Sequence, residues 1–159
     1  MSTVYVIGSL RNPSVPQLGN ALRAHGYEAF EEWFSGGREA DDEWQRYEQI
    51  RGRSYQDALY GYHAFNVFNF DKYHLDRADA AVMVAPAGKS AHLELGYMIG
   101  RGKPGLVLME REPERWDVML LFADKVCRSV DELLAALKTS LAVTQETRSY
   151  RNAPWNWDR

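Results

Sequence analysis

The amino-acid sequence predicts an α/β fold in which helices cover both faces of a parallel β-sheet. Short apolar runs alternate with longer segments whose apolar residues recur at helical spacing. The strand-like runs are continuously apolar, as expected for strands that are buried on both faces. Since 159 residues are about one domain, we expect a single flavodoxin-like or Rossmann-like domain over residues 1–159.

The first half of the chain predicts a strand, a helix, a second strand and a long helical region. The predicted strands are residues 4–8 and 27–34, and the predicted helix is 15–25. Residues 43–76 are charged and aromatic, and we expect helices there, interrupted at Gly52 and Gly61.

The second half continues the alternation of strands and helices. Strands are predicted at 80–85, 106–109 and 125–127, and helices at 90–101 and 130–141. Gly102 suits the end of a helix. Gly96 and Gly100 are four residues apart, and we expect them to form a strip without side chains that lets the helix lie close to the sheet. The tail 150–159 is irregular, and we expect its tryptophans to form a subunit contact.

Composition excludes several classes of function. With 22 acidic and 19 basic residues, the chain lacks the basic face that nucleic-acid binding requires. It has no long apolar run and no secretory signal, so we expect a cytoplasmic protein without a membrane partner. Cys127 is the only cysteine, which leaves no disulfide and no thiolate metal cluster.

Two glycine motifs resemble phosphate-binding loops but lack the required context. Gly-Lys-Ser at 88–90 could end a P-loop, but Met83 stands where that loop needs a glycine. Gly100, Gly102 and Gly105 have the spacing of a dinucleotide fingerprint, but they close a helix instead of opening one. We therefore expect no nucleotide cofactor at either motif.

Glu94 is a candidate site residue because of its position in the predicted fold. It lies one turn into a helix that leaves the carboxyl end of an apolar strand, where α/β sheets bind ligands. A purely structural role is the alternative, since a glutamate near the N-terminus of a helix interacts favourably with the helix dipole. However, its neighbours Ala91, Leu95 and Met98 are apolar, and a carboxylate in a buried helix needs a reason.

Residues 78–108, ADAAVMVAPAGKSAHLELGYMIGRGKPGLVL, preceded by NFDKYHLDR (69–77), resemble the nucleoside 2-deoxyribosyltransferase superfamily. This superfamily includes 2′-deoxynucleoside 5′-monophosphate N-hydrolases and cytidylate N-glycosidases. The likeness extends from VYVIGSLR (4–11) to WDVMLLFADKV (116–126). It implies a flavodoxin-like fold, no metal or other cofactor, and Glu94 attacking or stabilising the anomeric carbon of the sugar.

The resemblance also implies roles for residues near the reacting bond. Asp71 matches an aspartate near the nucleobase, which protonates or orients the departing base. Tyr5 matches a tyrosine whose hydroxyl lies close to the catalytic carboxylate. Cleavage of an N-glycosidic bond needs this division of labour, because the sugar becomes oxocarbenium-like while the base must leave.

Further matches concern the 5′ end of the substrate. Gly8, Ser9 and Arg11 match a loop that receives a 5′-phosphate, and a loop after a strand is a plausible anion cradle. Gly88 and Ser90 lie in GKSAHLE, which is similar to the cytidylate glycosidase version, and imply a second phosphate or sugar contact.

Asp117 and Met119 resemble a pair that enters the active site of the neighbouring subunit. We therefore expect a homodimer or larger homo-oligomer with shared active sites. An anion at position 117 would repel a phosphate and would instead accept a hydrogen bond from a free 5′-hydroxyl. Asp117 thus favours a nucleoside substrate, whereas Arg11 and Ser90 favour a nucleotide.

Three functions remain open from the sequence. The favoured one is an N-glycosidase of pyrimidine (deoxy)nucleoside 5′-monophosphates. A deoxyribosyltransferase that exchanges bases between nucleosides is the alternative, and a nucleotide-sensing module without turnover is a third. His63 and His74 have no partner at metal-ligand spacing, and we expect no metal site.

Overall fold

Five parallel strands form the sheet of the computed structural model, which describes residues 1–143. The strands are β1 (Thr3–Ile7), β2 (Glu28–Phe30), β3 (Ala80–Val84), β4 (Gly105–Leu108) and β5 (Lys125–Cys127). Their order in the sheet is β2-β1-β3-β4-β5, and every neighbouring pair is parallel. This is the strand order of flavodoxin-like sheets, so the predicted fold class is confirmed.

Helices connect the strands. They are α1 (Ser14–Ala24), α2 (Ala40–Ile50), α3 (Tyr55–Leu59), α4 (Tyr62–Arg77), α5 (Lys89–Gly100) and α6 (Val130–Ala142), with short 3₁₀ helices at Glu32–Gly36 and Val118–Phe122. Within residues 1–143, none of these helices is long and apolar enough to cross a bilayer. The tail predicted at 150–159 lies outside the described residues.

The core has two layers, one on each face of the sheet. Side chains of a strand point alternately to the two faces. Val4 and Val6 of β1 therefore pack towards α1 and α6, whereas Tyr5 and Ile7 pack towards α4 and α5. Because Tyr5 belongs to the second layer, its side chain lies beneath the two helices that carry Asp71 and Glu94.

The second strand is shorter than the sequence predicts. Residues 27–34 were expected to be extended, but β2 ends at Phe30 and a 3₁₀ helix follows. Glu31 is buried and accepts a hydrogen bond from Arg23 Nη1 at 2.7 Å, while the Trp33 indole donates to the Val6 carbonyl at 2.9 Å. These tertiary contacts turn the chain away from the extended conformation.

The predicted breaks in segment 43–76 are confirmed, but the predicted glycine strip on α5 is wrong. Gly52 has a φ of +70° after α2, and Gly61 immediately precedes α4. Gly96 and Gly100 are exposed, and a Cβ at either would meet no atom within 4 Å. The sheet-facing side of α5 is instead formed by its buried residues, which are Ala91, Leu95 and Met98.

Candidate active site

Tyr5, Asp71 and Glu94 come together between the sheet and the helices that cover it. Tyr5 lies in the central part of β1 and is 1% exposed, while Asp71 and Glu94 are partly buried on α4 and α5. The Asp71 carboxylate accepts a hydrogen bond from the Tyr5 hydroxyl. Three residues that are distant in the sequence thus form one cluster.

Burial controls the ionisation of this cluster. It raises the pKa of Asp71 to about 6, although the hydrogen bond from Tyr5 acts in the opposite direction. It also raises the pKa of Glu94 to about 7, with a further contribution from the negative charge of Asp71. The pKa of Tyr5 is raised as well, mainly by burial and then by the two carboxylates, so the phenol stays a neutral donor.

The two carboxyl groups open into one cavity of about 270 Å³ between α4 and α5. Its walls are formed by Phe68, Asp71, Lys72, Leu75, Leu93, Glu94 and Tyr97. The Asp71 Oδ1 atom is buried and has no hydrogen-bond partner within residues 1–143. The cavity therefore combines apolar walls with two carboxyl groups that titrate near neutrality, which suits proton transfer to a bound molecule.

A second, open cavity of about 650 Å³ lies at the amino end of α5. Its lining residues are Ala87, Gly88, Lys89, His92, Leu93, Asp117 and Met119. Asp117 also caps the 3₁₀ helix at Val118–Phe122, because its Oδ1 accepts the Met119 amide at 2.9 Å. Gly88, Asp117 and Met119, all predicted from the resemblance, thus meet within one chain, and Leu93 joins this cavity to the first.

The loop after β1 holds the remaining predicted contacts. Gly8 packs so closely on α1 that a Cβ there would lie 2.5 Å from Val15 Cγ2. Ser9 Oγ accepts the Arg11 amide at 3.2 Å, and Arg11 Nη2 lies 2.6 Å from Asp42 Oδ2 on α2. Gly8, Ser9 and Arg11 line neither described cavity, and neither does Ser90, which is exposed in the first turn of α5.

Sequence reasoning missed most of the cavity walls. Phe68, Lys72 and Leu75 recur at helical spacing around Asp71, so the period of α4 could have indicated them. On α5, Tyr97 lies one turn after Glu94. Its hydroxyl donates a hydrogen bond to the Asp76 carboxylate. Lys72 Nζ donates a second hydrogen bond to Asp76 Oδ2 at 2.5 Å. These contacts join α4 to α5 beside the carboxyl pair.

The histidines lie apart from this cluster. His63 stacks on Trp44, and His74 stacks on Phe30 with ring centroids 3.7 Å apart. His92 is exposed, and its Nδ1 lies 2.7 Å from the Gly88 carbonyl oxygen. Within the described part of the chain, no group of three or more His, Cys, Asp or Glu residues could hold a metal ion.

Comparison with solved structures gives relatives of the fold. No protein-family model and no curated protein matches the sequence. A 2-deoxyribosyltransferase of Bacillus psychrosaccharolyticus superposes with a TM-score of 0.56 and 16% identity, covering 83% of this chain and 90% of that one. A CMP N-glycosidase of Clostridium botulinum gives a TM-score of 0.50 and 14% identity, covering 86% and 99%. This chain thus shares the fold of a 2-deoxyribosyltransferase and of a CMP N-glycosidase.

Proposed function

We propose that this protein is an N-glycosidase that cleaves the base–sugar bond of pyrimidine (deoxy)nucleoside 5′-monophosphates. The observation that carries the proposal is the pairing of Asp71 with Glu94 in one cavity above Tyr5. A ligand there would meet one carboxyl group that holds a proton and one that is ionised. The two fold relatives support this reading, since one is a deoxyribosyltransferase and the other a CMP N-glycosidase.

The proposed reaction divides the work between the two carboxyl groups. As the C1′–N bond breaks, its electron pair leaves with the base, and protonated Asp71 donates a proton to that base. The Glu94 carboxylate stabilises the positive charge that develops at C1′, or forms an ester with it. Water then adds at C1′ and gives its proton back to Asp71, and where an ester has formed the C1′–O bond to Glu94 breaks with its electron pair returning to the carboxylate. The products are the free base and the sugar 5-phosphate.

The residues implied for the 5′-phosphate belong to this proposal. Gly8, Ser9 and Arg11 follow β1, and Gly88 and Ser90 lie after the neighbouring strand β3. Because the carboxyl ends of parallel strands meet at one edge of the sheet, we expect both loops to border one crevice there. Amide, hydroxyl and guanidinium groups at that edge are suitable phosphate ligands.

A nucleoside deoxyribosyltransferase is the second candidate, and Asp117 favours it. This carboxylate lines the second cavity together with Gly88 and Met119. An anion there would oppose a phosphate but would accept a hydrogen bond from a free 5′-hydroxyl. The sugar would then pass from Glu94 to an acceptor base instead of to water.

We also propose that the protein acts as a homodimer or larger homo-oligomer. Phe65 and Phe68 on α4 are each 61% exposed, and Leu93 on α5 is 76% exposed. Leu93 lines one cavity with Phe68 and the other with Met119, so exposed apolar side chains contribute to the walls of both cavities. Exposed apolar side chains grouped on one side of a protein are typical of interfaces between subunits.

The proposal covers the chain as a single domain that acts in the cytoplasm. Cys127, its only cysteine, is buried and unpaired, which suits a reducing compartment.

The experiment that tests the function is a chromatographic assay of base release. Purified protein is incubated with a panel of nucleosides and their 5′-monophosphates, each with and without a free acceptor base. Release of a pyrimidine from a monophosphate without acceptor is the result expected. Exchange that requires a nucleoside and an acceptor would identify the transferase instead, and no turnover across the panel would leave only a nucleotide-binding module.

Matched variants connect the activity to the cavity. Glu94→Gln keeps the size of the side chain but removes the carboxylate, and we expect a loss of at least about a thousandfold. Asp131→Asn makes the same carboxylate-to-amide change at an exposed position of α6, on the other face of the sheet. It should retain full activity, and an equal loss in both variants would rule out a specific role for Glu94.

A further inference from the structure

Arg11 already has an anionic partner within the protein. Its Nη2 atom lies 2.6 Å from Asp42 Oδ2, and both side chains are about half exposed. Arg11 is the guanidinium that the proposed function assigns to the 5′-phosphate. A phosphate that binds the Nη2 end of this guanidinium therefore competes with the Asp42 carboxylate.

The helix that carries Asp42 is anchored mainly at its far end. Glu48 is the only buried residue of α2, and it is held by Arg53 at 3.2 Å and Arg51 at 3.6 Å. The beginning of α2 contacts the rest of the chain through the Arg11–Asp42 pair and through Trp44, which stacks on His63. The ion pair is thus one of the contacts that hold this end of the helix.

Two further features favour a movement of the start of α2 when the Arg11–Asp42 pair breaks. Gly37 before the helix has a φ of +87° and Gly52 after it has a φ of +70°, so both flanks turn at left-handed glycines. The indole N–H of Trp44 is buried without an acceptor in the described chain. An unpaired buried donor favours any rearrangement that would expose it to water or to a ligand.

We propose that Asp42 is an internal anion that competes with the substrate's 5′-phosphate for Arg11, and that it thereby sets the selectivity between nucleoside monophosphates and nucleosides. This inference rests on the proposed function, which supplies the phosphate. A monophosphate carries a charge of about −1.5 to −2 near neutral pH and three acceptor oxygens, against one charge on Asp42. The phosphate therefore displaces the carboxylate, but at a cost in affinity that a nucleoside does not bear.

The size of the effect follows from the exposure of the pair. Exposed ion pairs shift an equilibrium by at most about fivefold. Asp42→Asn should therefore tighten phosphate binding by about two- to fivefold. Arg11→Gln should weaken it by about tenfold or more, because a charge-assisted hydrogen bond to the phosphate is lost.

The test measures binding of 2-deoxyribose 5-phosphate by isothermal titration calorimetry, which needs no turnover. The proteins compared are the wild type, Asp42→Asn, Arg11→Gln and the double variant. Asp41→Asn is the matched control, because it removes the same charge from the same helical turn at an exposed residue beside the pair. We expect Asp42→Asn alone to bind more tightly than wild type and the change to vanish in the Arg11→Gln background.

Several results would overturn the inference. Equal affinities of wild type and Asp42→Asn would show that Asp42 does not compete, and equal gains in Asp41→Asn and Asp42→Asn would indicate a general charge effect. A gain that persists without Arg11, or no binding by wild type, would also contradict it. Failure of the proposed function is a separate result, since it appears as absence of base release while sugar-phosphate binding still responds to Asp42.

Discussion

The Asp71 carboxyl group on α4 and the Glu94 carboxyl group on α5 face one cavity, where the charge of Asp71 adds to burial in raising the pKa of Glu94. Two nearby carboxylates that are poorly solvated do not ionise independently. The pair therefore loses its protons in two steps, with apparent pKa values of about 6 and about 7. Between these values it holds one proton, which by the order of the two pKa values lies mainly on Glu94. The proposed cleavage uses the form of the pair in which this proton has moved to Asp71, and that form has the same dependence on pH.

We expect kcat/KM for base release to follow a bell-shaped curve with its maximum at about pH 6.5. Below the lower pKa both groups are protonated and no carboxylate faces the sugar. Above the upper pKa both are ionised and no proton is available for the base. A pH–rate profile between pH 4.5 and 9 measures this, and a profile that fails to fall on either the acidic or the alkaline side of this range would contradict the assignment.

Tyr5→Phe removes the hydrogen bond that lowers the pKa of Asp71. The lower apparent pKa of the profile should move upwards, and kcat/KM should fall by about ten- to a hundredfold because Asp71 is less well positioned. Tyr97→Phe is the control, since Tyr97 lines the same cavity but hydrogen-bonds to Asp76. The same shift in both variants would show that the Tyr5 hydroxyl is not the cause.

Glu94→Gln should make the fold more stable in alkaline solution. The pKa of Glu94 is raised from 4.5 to about 7, so in that interval the folded state binds more protons than the unfolded state. Stability due to this group is therefore complete below the unfolded pKa and is lost as the pH rises through the folded one. The loss corresponds to on the order of 3 kcal/mol. Urea unfolding at pH 5 and pH 8.5 should show a larger gain for the variant at the higher pH, and an equal gain at both would exclude this linkage.

Gly8→Ala should destabilise the protein, because Gly8 packs closely against α1. The added Cβ would lie 2.5 Å from Val15 Cγ2, and overpacking of this kind costs about 1–3 kcal/mol. Gly96→Ala is the matched control on an exposed helical face where a Cβ meets no atom within 4 Å. It should stabilise α5 by about 0.5–1 kcal/mol. Thermal unfolding of both variants measures whether Gly8→Ala lowers the stability of the protein and Gly96→Ala raises it.

Phe65→Asp should dissociate the proposed homo-oligomer and reduce its activity. The side chain is 61% exposed on the same helix as Phe68, and a charge in an apolar interface is strongly unfavourable. Ile50→Asp, at an exposed apolar position on α2, should leave the assembly intact. Sedimentation velocity distinguishes them. A wild-type protein that sediments as a monomer would contradict the proposed assembly.

Much of the fold could be predicted because its signals are local. Continuous apolar runs indicated β1, β3 and β4, and the glycines at 52 and 61 marked the breaks between α2, α3 and α4. The length of β2 could not be predicted, because it depends on the Glu31–Arg23 and Trp33–Val6 contacts between distant segments. The glycine strip on α5 was wrong, because spacing alone does not say which side of a helix faces the sheet.

Some residues of the candidate site could likewise be predicted from the sequence, whereas others could not. Glu94, Asp71 and Tyr5 were selected from the sequence by position and resemblance, and the structure brings them together. The walls contributed by Lys72, Leu93 and Tyr97 were not foreseen, because they depend on the packing of α4 beside α5. The Asp42 partner of Arg11 was also missed, since no local pattern joins the loop after β1 to the start of α2.

By itself, the sequence determined the order of strands and helices and the parallel character of the sheet. These follow from local periodicity and from the burial of each strand on both faces. Only the tertiary structure decided that two carboxyl groups share a cavity and titrate near neutrality, and that Arg11 is paired with Asp42. The physical reason is that desolvation and ion pairing depend on distances between segments far apart in the chain, which close only when the helices pack on the sheet.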